Sequence, residues 1–326
     1  NIGIIGAGLI GNKRARIIRS FATDKVVMIA DINFARAKKL ADEIGNCEAT
    51  DNWEKIIDHK QIEAIVVAAT HNNLATISLA ALSAGKHVLC EKPLGIKSSK
   101  VASCVRMAKK KKIVYKAGFN HRFHPAIFKA HQMFVYGKIG KLMYIKATYG
   151  IGGRLGYEKE WRMNKKISGG GELIDQGAHL LDLSRWFMGD ITGVKVELLT
   201  SFWPVKVEDN AFMLLKSKYG LAEIHASWTE WKNRFMFEIY GKKGYLKISG
   251  LGGSYGTETL IYGLRVPGQA PKEKRWEFKG EDVSWKHEWL NFKQAVFGKK
   301  ELIGSGEDGL EVLHLIEKIY KLNGKK

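Results

Sequence analysis

Over the first 120 residues, short apolar runs alternate with stretches of helical periodicity, and this alternation leaves few architectures open. The runs are IGIIG (2–6), KVVMIA (25–30), EAIVVAAT (63–70), KHVLCE (86–91) and KIVYKAG (112–118). Between them lie amphipathic stretches such as NFARAKKLADEIG and NLATISLAALSAG. Strands alternating with helices predict a doubly wound α/β domain, a parallel sheet covered on both faces.

Near residue 120 the rhythm changes. A helix at about 124–136 is followed by the strand-like run KLMYIKATYG, a Gly-rich loop and the segment GGGELIDQGAHLLDLSRW (169–186). Beyond residue 190 come KVELLTSFW, AFMLLKS, LAEIHASW, RFMFEIYG and GYLKIS, and two helical segments near 282–297 and 306–322 close the chain. Successive β-rich segments after a helix predict an α+β domain with a large, mostly antiparallel open sheet. The expected organisation is an α/β Rossmann domain over 1–119 and an α+β substrate-binding and oligomerisation domain over 120–326. The last helix is free to pack back on the first domain, and a cleft is expected at the crossing.

Apolar residues make up 45% and charged residues 26% of the 326, the balance of a soluble globular protein. No apolar run reaches the roughly 18 residues of a membrane span, and no signal peptide is visible. Three cysteines without metal-ligand spacing fit a reducing cytoplasm and no bound metal. The formal charge of +20 raises the question of nucleic acid. The basic residues are spread along the chain, however, and no nucleic-acid motif accompanies them. The single run, Lys109 to Lys112, reads as the exposed end of a helix. A generally basic composition, or an acidic small molecule such as a phosphorylated or nucleotide-linked sugar, is the better match to the charge.

IGIIGAGLIG carries Gly6, Gly8 and Gly11 in the spacing G-x-G-x-x-G, with Leu9 and Ile10 opening the helix that follows. A strand before, a helix after and an enclosing βαβ unit are the context in which this pattern binds the pyrophosphate of a dinucleotide. Asp31 ends the second strand, where a carboxylate holds both ribose hydroxyls of NAD and repels the 2′-phosphate of NADP; a helix N-cap is the alternative. NAD is therefore expected over NADP. Thr70, His71 and Asn72 sit at the carboxyl end of a central strand, where ligands bind. His71 either lines the cofactor or is a solvent-exposed loop histidine.

In CEKPLG, Glu91 and Lys92 end the next strand, and Pro93 restricts Lys92 to extended geometry. A lysine there can polarise a substrate oxygen, with Glu91 fixing the ammonium, and both Glu91 and Lys92 are expected at the cofactor as well. On a continuous helix over 169–186, Asp175, His179, Asp182 and Trp186 share one stripe. Asp175 and His179 are then spaced to meet on one face, the carboxylate orienting the imidazole.

The glycine fingerprint, AGKHVLCEKPL and GGGELIDQGAHLLDLSRW occur in this order, and GEDGLEVLHLIEKIYKL closes the chain. In these segments, and over essentially its whole length, the chain resembles the glucose–fructose oxidoreductase / inositol dehydrogenase (Gfo/Idh/MocA) family of NAD(P)-dependent oxidoreductases. The resemblance implies a hydride moving between a carbinol carbon and nicotinamide C4. It places the catalytic lysine on Lys92, the aspartate on Asp175 and the histidine on His179. His179 is then general base for the substrate hydroxyl, and Asp182 a structural acid or an orienter. Asn120, His121 and Arg122 resemble the family's segment entering the cleft, so Asn120 and Arg122 are expected at the cofactor; a salt link is the alternative for Arg122. Just before the helix, Arg154, Tyr157, Trp161 and Arg162 offer aromatic faces and guanidinium groups to a sugar; Tyr157, Trp161 and Arg162 are the substrate-binding candidates. Many members read T-P-N followed by a histidine where this chain has His71 and Ala75, so contacts of that loop do not carry over.

The expected function is an NAD-dependent, cytoplasmic oxidoreductase acting on a secondary hydroxyl or ketone of a sugar, polyol or nucleotide sugar, assembled as a homodimer or homotetramer. Two alternatives stand beside it. One is a glycoside-cleaving enzyme that uses transient oxidation; the other is a non-catalytic NAD-binding sensor, for which the trio Lys92, Asp175 and His179 would have no use.

Overall fold

The computed structural model describes residues 1–324, which group into two compact units, Asn1–Phe119 with Trp285–Leu313, and Asn120–Ser284 with the chain from His314 onward. In the first, six strands, β1 (Ile2–Ile5), β2 (Val26–Ala30), β3 (Glu48–Thr50), β4 (Ala64–Val67), β5 (His87–Glu91) and β6 (Tyr115–Gly118), form a parallel sheet in the order β3-β2-β1-β4-β5-β6. Helices α1 (Leu9–Arg19), α2 (Phe34–Ile44), α3 (Glu54–Asp58), α4 (His71–Ser83) and α5 (Ser98–Lys111) connect them. The order reverses between β1 and β4, which places a ligand crevice outside the carboxyl ends of these two strands. β1 is buried along its whole length, as a central parallel strand must be. The edge strand β3, only EAT, escapes sequence reading because it is too short to carry a period. Lys109, Lys110 and Lys111 form the last turn of α5, where cations oppose the negative end of the helix dipole.

The second unit carries α6 (Pro125–Val135), β7 (Leu142–Gly150), α7 (Lys165–Ser168), α8 (Glu172–Asp175) and α9 (Gly177–Met188). After them come β8 (Ile191–Leu199), β9 (Asn210–Ser217), β10 (Leu221–Ser227), β11 (Arg234–Gly241), β12 (Gly244–Ser249), β13 (Glu258–Leu264) and β14 (Lys272–Phe278). The sheet order is β14-β13-β12-β11-β7-β10-β9-β8, and all pairs are antiparallel except β7 with β10. Alternation sets the faces. In β9 and β11 every second residue is buried, under α9 and its neighbours, while Phe212 and Leu214 of β9 stay 44% and 40% exposed on the other face. Strands β13 and β14 have no counterpart in the sequence reading. β14, KEKRWEF, is an edge strand whose charges hide its alternation while protecting the edge.

Two helices close the chain, α10 (Ser284–Val296) and α11 (Gly306–Leu322). Trp289 and Phe292 of α10 join the core of the first unit with Ile4, Ile29 and Leu89, and the Trp289 indole N–H donates to Asp24 at 2.7 Å. Truncating such an aromatic costs about 3–5 kcal/mol. Among the described residues no helix is long and apolar enough to cross a membrane, and no cluster of His, Cys, Asp and Glu could hold a metal ion.

Candidate active site

The glycine turn is built for a close approach on one side only. Gly6 has φ +101°, and a Cβ there would meet the Ala68 carbonyl at 2.3 Å; at Gly11 it would meet the Gly6 carbonyl at 1.7 Å. At Gly8 a Cβ would meet nothing within 4 Å. Two glycines thus let the turn pack on its own sheet, and the third leaves its outer side open before the first turn of α1. Backbone N–H groups at a helix start attract a pyrophosphate. Leu9 is 80% exposed and leaves this approach clear. Asp31 is fixed beside the turn: Oδ2 accepts the Ala7 N–H at 2.7 Å and Oδ1 the Asn33 N–H at 2.8 Å. It is not the helix cap, since Asn33 caps α2. The turn thus leaves an open side at Gly8 for a pyrophosphate, with the Asp31 carboxylate fixed beside it.

At the end of β4, Thr70 Oγ1 donates to Asn72 at 2.8 Å and accepts from Asn73 Nδ2 at 3.2 Å. The loop is shorter than expected, because α4 starts at His71. His71 is only 5% exposed, so the solvent-exposed alternative for it falls. At the end of β5, Glu91 is held by Arg14, whose Nε donates at 2.8 Å, and Arg14 Nη1 lies 2.6 Å from Glu288 of α10. Burial disfavours the Arg14 charge, but Glu288 and Glu91 outweigh it and raise its pKa above the usual value. Burial pushes the Glu288 carboxyl upward despite Arg14. Glu91, read from sequence as a partner for the Lys92 ammonium and a cofactor contact, is 8% exposed and committed to this buried ion network. Lys92 is half-buried.

In the second unit, the expected continuous helix is two segments, α8 and α9, joined through Gln176. Its entry explains the three glycines. Gly169 closes α7 at φ +87°, a Cβ on Gly170 would fall 1.8 Å from the Tyr320 hydroxyl, and one on Gly171 2.0 Å from the Glu208 carbonyl. Glu208 caps α8: its Oε1 accepts the N–H of Gly171 at 3.0 Å and of Leu173 at 3.3 Å, and the Tyr320 hydroxyl at 2.6 Å. A buried carboxylate thereby serves the otherwise unsatisfied N–H groups of a helix start.

Asp175 ends α8, and its Oδ2 accepts from Arg162 Nε at 3.2 Å. One turn on, the buried His179 ring stacks on His121 with centroids 3.8 Å apart and planes 24° from parallel. His121 Nδ1 lies 3.2 Å from Asn120 Oδ1, and Tyr149 of β7 stands 5.1 Å from the His121 ring. Tyr255 adjoins Tyr149 and accepts a hydrogen bond from Gln176 Nε2 at 3.3 Å; burial lifts its phenol to about 12. Sequence reading singled out neither tyrosine. The alternation of KLMYIKATYG puts Tyr149 on the face of Ile145 and Ala147, which could have found it; Tyr255, in a glycine-rich turn, gave no signal.

Several expected roles are corrected. Arg122 is 4% exposed and grips Asp182 with two bonds, Nε at 2.8 Å and Nη2 at 2.6 Å, so its guanidinium is not offered to a cofactor or an anionic substrate. The same pair gives Asp182 the structural role. Asn120 donates to Ser284 at 3.0 Å and is 4% exposed, so it is a buried hydrogen-bonded residue rather than an open cofactor contact. Tyr157, 2% exposed, has its ring enclosed edge-on by Trp203 and Trp228, so it offers no open face to a sugar. Trp161 and Arg162 are half-buried, with the guanidinium 4.7 Å from the indole centroid.

Residues 1–119 match the model of an oxidoreductase family with an NAD-binding Rossmann fold, and residues 127–247 that of the GFO/IDH/MocA C-terminal domain. The chain is 27% identical over 282 residues to levoglucosan dehydrogenase of Pseudarthrobacter phenanthrenivorans, covering 75% of this chain and 72% of that one. It is 26% identical to inositol 2-dehydrogenase 2 of Saccharopolyspora erythraea, over 68% of this chain and 64% of the relative. In fold it matches a solved levoglucosan dehydrogenase in complex with NADH and levoglucosan, with TM-score 0.88 and 23% identity over 100% of this chain and 97% of the other. The two family matches, one on each side of residue 120, make this chain a member of the Gfo/Idh/MocA family of NAD-binding oxidoreductases.

Proposed function

We propose that the chain is an NAD-dependent dehydrogenase that moves a hydride between nicotinamide and a secondary hydroxyl or ketone of a sugar, polyol or nucleotide sugar. The observation that carries this reading is the arrangement in the second unit: His179, stacked on His121, stands one turn from an Asp175 already held by Arg162. The names of the relatives, a levoglucosan and an inositol dehydrogenase, point to the same substrate class.

In oxidation, His179 takes the hydroxyl proton as general base; in reduction it returns it. Asp175 stabilises the imidazolium, and the Arg162 hydrogen bond fixes the carboxylate in place. Lys92 donates a hydrogen bond to the reacting oxygen, favouring the alkoxide-like charge that develops there. NAD, when bound, supplies the hydride acceptor. Asp31 selects NAD over NADP by repelling a 2′-phosphate.

A cytoplasmic location, supported by the free thiols of Cys47, Cys90 and Cys104, belongs to the same proposal. So does assembly into a homodimer or homotetramer, supported by the open sheet face that exposes Phe212, Leu214 and Leu221. Light scattering on a size-exclusion column then gives two or four chain masses, and Leu214→Glu lowers that mass.

A thermal-shift and NADH-formation screen across inositols, hexoses, uronates and nucleotide sugars tests the function. A binding substrate raises Tm by mass action, and the true one forms NADH. NADPH formed in preference to NADH would overturn the assignment of Asp31.

A further inference from the structure

Two loops of the second unit gather large aromatic side chains on its surface. Phe202 and Trp231 remain 58% and 69% exposed yet meet edge to face at 4.8 Å, and Trp203 lies 5.3 Å from Phe202. This exposure is rigidly supported. Asp209, fully buried, accepts the N–H groups of Ser201 at 2.9 Å, Phe202 at 2.8 Å and Trp203 at 3.1 Å. The Trp203 indole donates to the Trp228 carbonyl at 3.0 Å. A buried carboxylate that holds a loop with its aromatic residues in water is organised for a ligand, not for the core.

The platform adjoins the loop that carries Arg162: a Cβ on Gly152 would meet Trp231, and one on Gly153 would meet Trp203. Trp203 packs 5.5 Å from Tyr157 of that same loop. Beside it runs a ladder of alternating charge: Arg154 to Glu160 at 2.5 Å, Glu160 to Arg162 at 3.3 Å, Arg162 to Asp175 at 3.2 Å. Aromatic faces flanked by fixed donors and acceptors suit a ring that is apolar on its faces and polar at its edge. A pyranose and a substituted aryl group both have that character.

We propose that Phe202 and Trp231 form a second subsite, and that the substrate is a glycoside. Its reacting sugar is handled by Asp175 and His179, and its aglycone or second sugar ring stacks on the platform. This rests on the dehydrogenase reading above and narrows its substrate class.

The test uses the full chain with NAD, methyl and 4-nitrophenyl glycosides of glucose, galactose and mannose, and the corresponding glucose disaccharides. Wild type favours ring-extended glycosides over methyl glycosides by about tenfold in kcat/KM. The double variant Phe202→Ala/Trp231→Ala reduces that ratio by about tenfold with unchanged Tm. Calorimetry with the 4-nitrophenyl glycosides shows affinity weakened by a similar factor in the variant. An aryl arm that responds while the disaccharide arm does not assigns the subsite to an aglycone, and the reverse assigns it to a second sugar. A ratio near one in wild type, or one unchanged in the variant, overturns the subsite. So does a lower oligomer mass in the variant, which would make the patch a contact between copies. Binding lost in the variant without turnover of any glycoside by wild type would support the subsite while removing the dehydrogenase reading.

Discussion

Asp175 and Asp182 stand two turns apart on one stripe, and their partners give them opposite work. Asp182 is fully buried and clamped by Arg122; Asp175 keeps 13% of its side chain in solvent and answers to Arg162. Breaking a buried pair by removing one partner leaves an uncompensated charge, so Asp182→Ala should cost about 3–5 kcal/mol in urea unfolding. Asp175→Asn should leave unfolding nearly unchanged and lower kcat by about 100-fold or more, measured as NADH formation. The helical spacing made both acids visible on one face. Their division of labour was hidden, because the Asp182 partner lies 60 residues away in sequence. The same distance effect concealed the stacking of His121 on His179, two residues that the sequence placed in separate motifs.

The helix entry shows what a fixed period overlooks. Three glycines announce a tight approach, but only the fold reveals that Tyr320 of α11 and Glu208 ahead of β9 are what they approach. Gly170→Ala should therefore lower both Tm and kcat, since its Cβ would overlap the Tyr320 hydroxyl; Gly170→Ala/Tyr320→Phe should recover part of each. A different element carries a pH dependence. His131 of α6 stacks on Trp186 of α9 at 3.6 Å, and burial lowers its pKa to about 4. Its folded pKa lies below the unfolded one, so the fold favours the neutral ring. The stabilisation is complete above pH about 6.5 and is lost as pH falls towards 4. Thermal scans across that window should show Tm falling with acid, and less steeply in His131→Phe. The strand and helix periods made most elements legible; β3, β13 and β14 were not, β3 for its brevity and β14 for its charged face.

For the molecule as a whole, the two sheet types were readable because period and composition change together near residue 120. The strongly basic balance did not yield a partner in the same way. Lys and Arg number 53 against 33 acids, but the buried ones are spent on internal pairs such as Arg14 with Glu91 and Glu288. Net charge therefore describes the outside more than the paired interior groups. With Asp31 proposed at the ribose, Asp31→Ser should reduce the NAD-to-NADP ratio of kcat/KM by about tenfold or more, since like-charge repulsion of the 2′-phosphate is removed.

In the proposed reaction His179 handles the substrate proton while the glycine turn of the first unit holds NAD independently. Steady-state NADH formation by His179→Ala, with NAD affinity measured by calorimetry on the same preparation, tests both halves at once. The account requires a fall in kcat of about 100-fold or more with NAD affinity within about twofold of wild type. Turnover at the wild-type rate in that variant would contradict it.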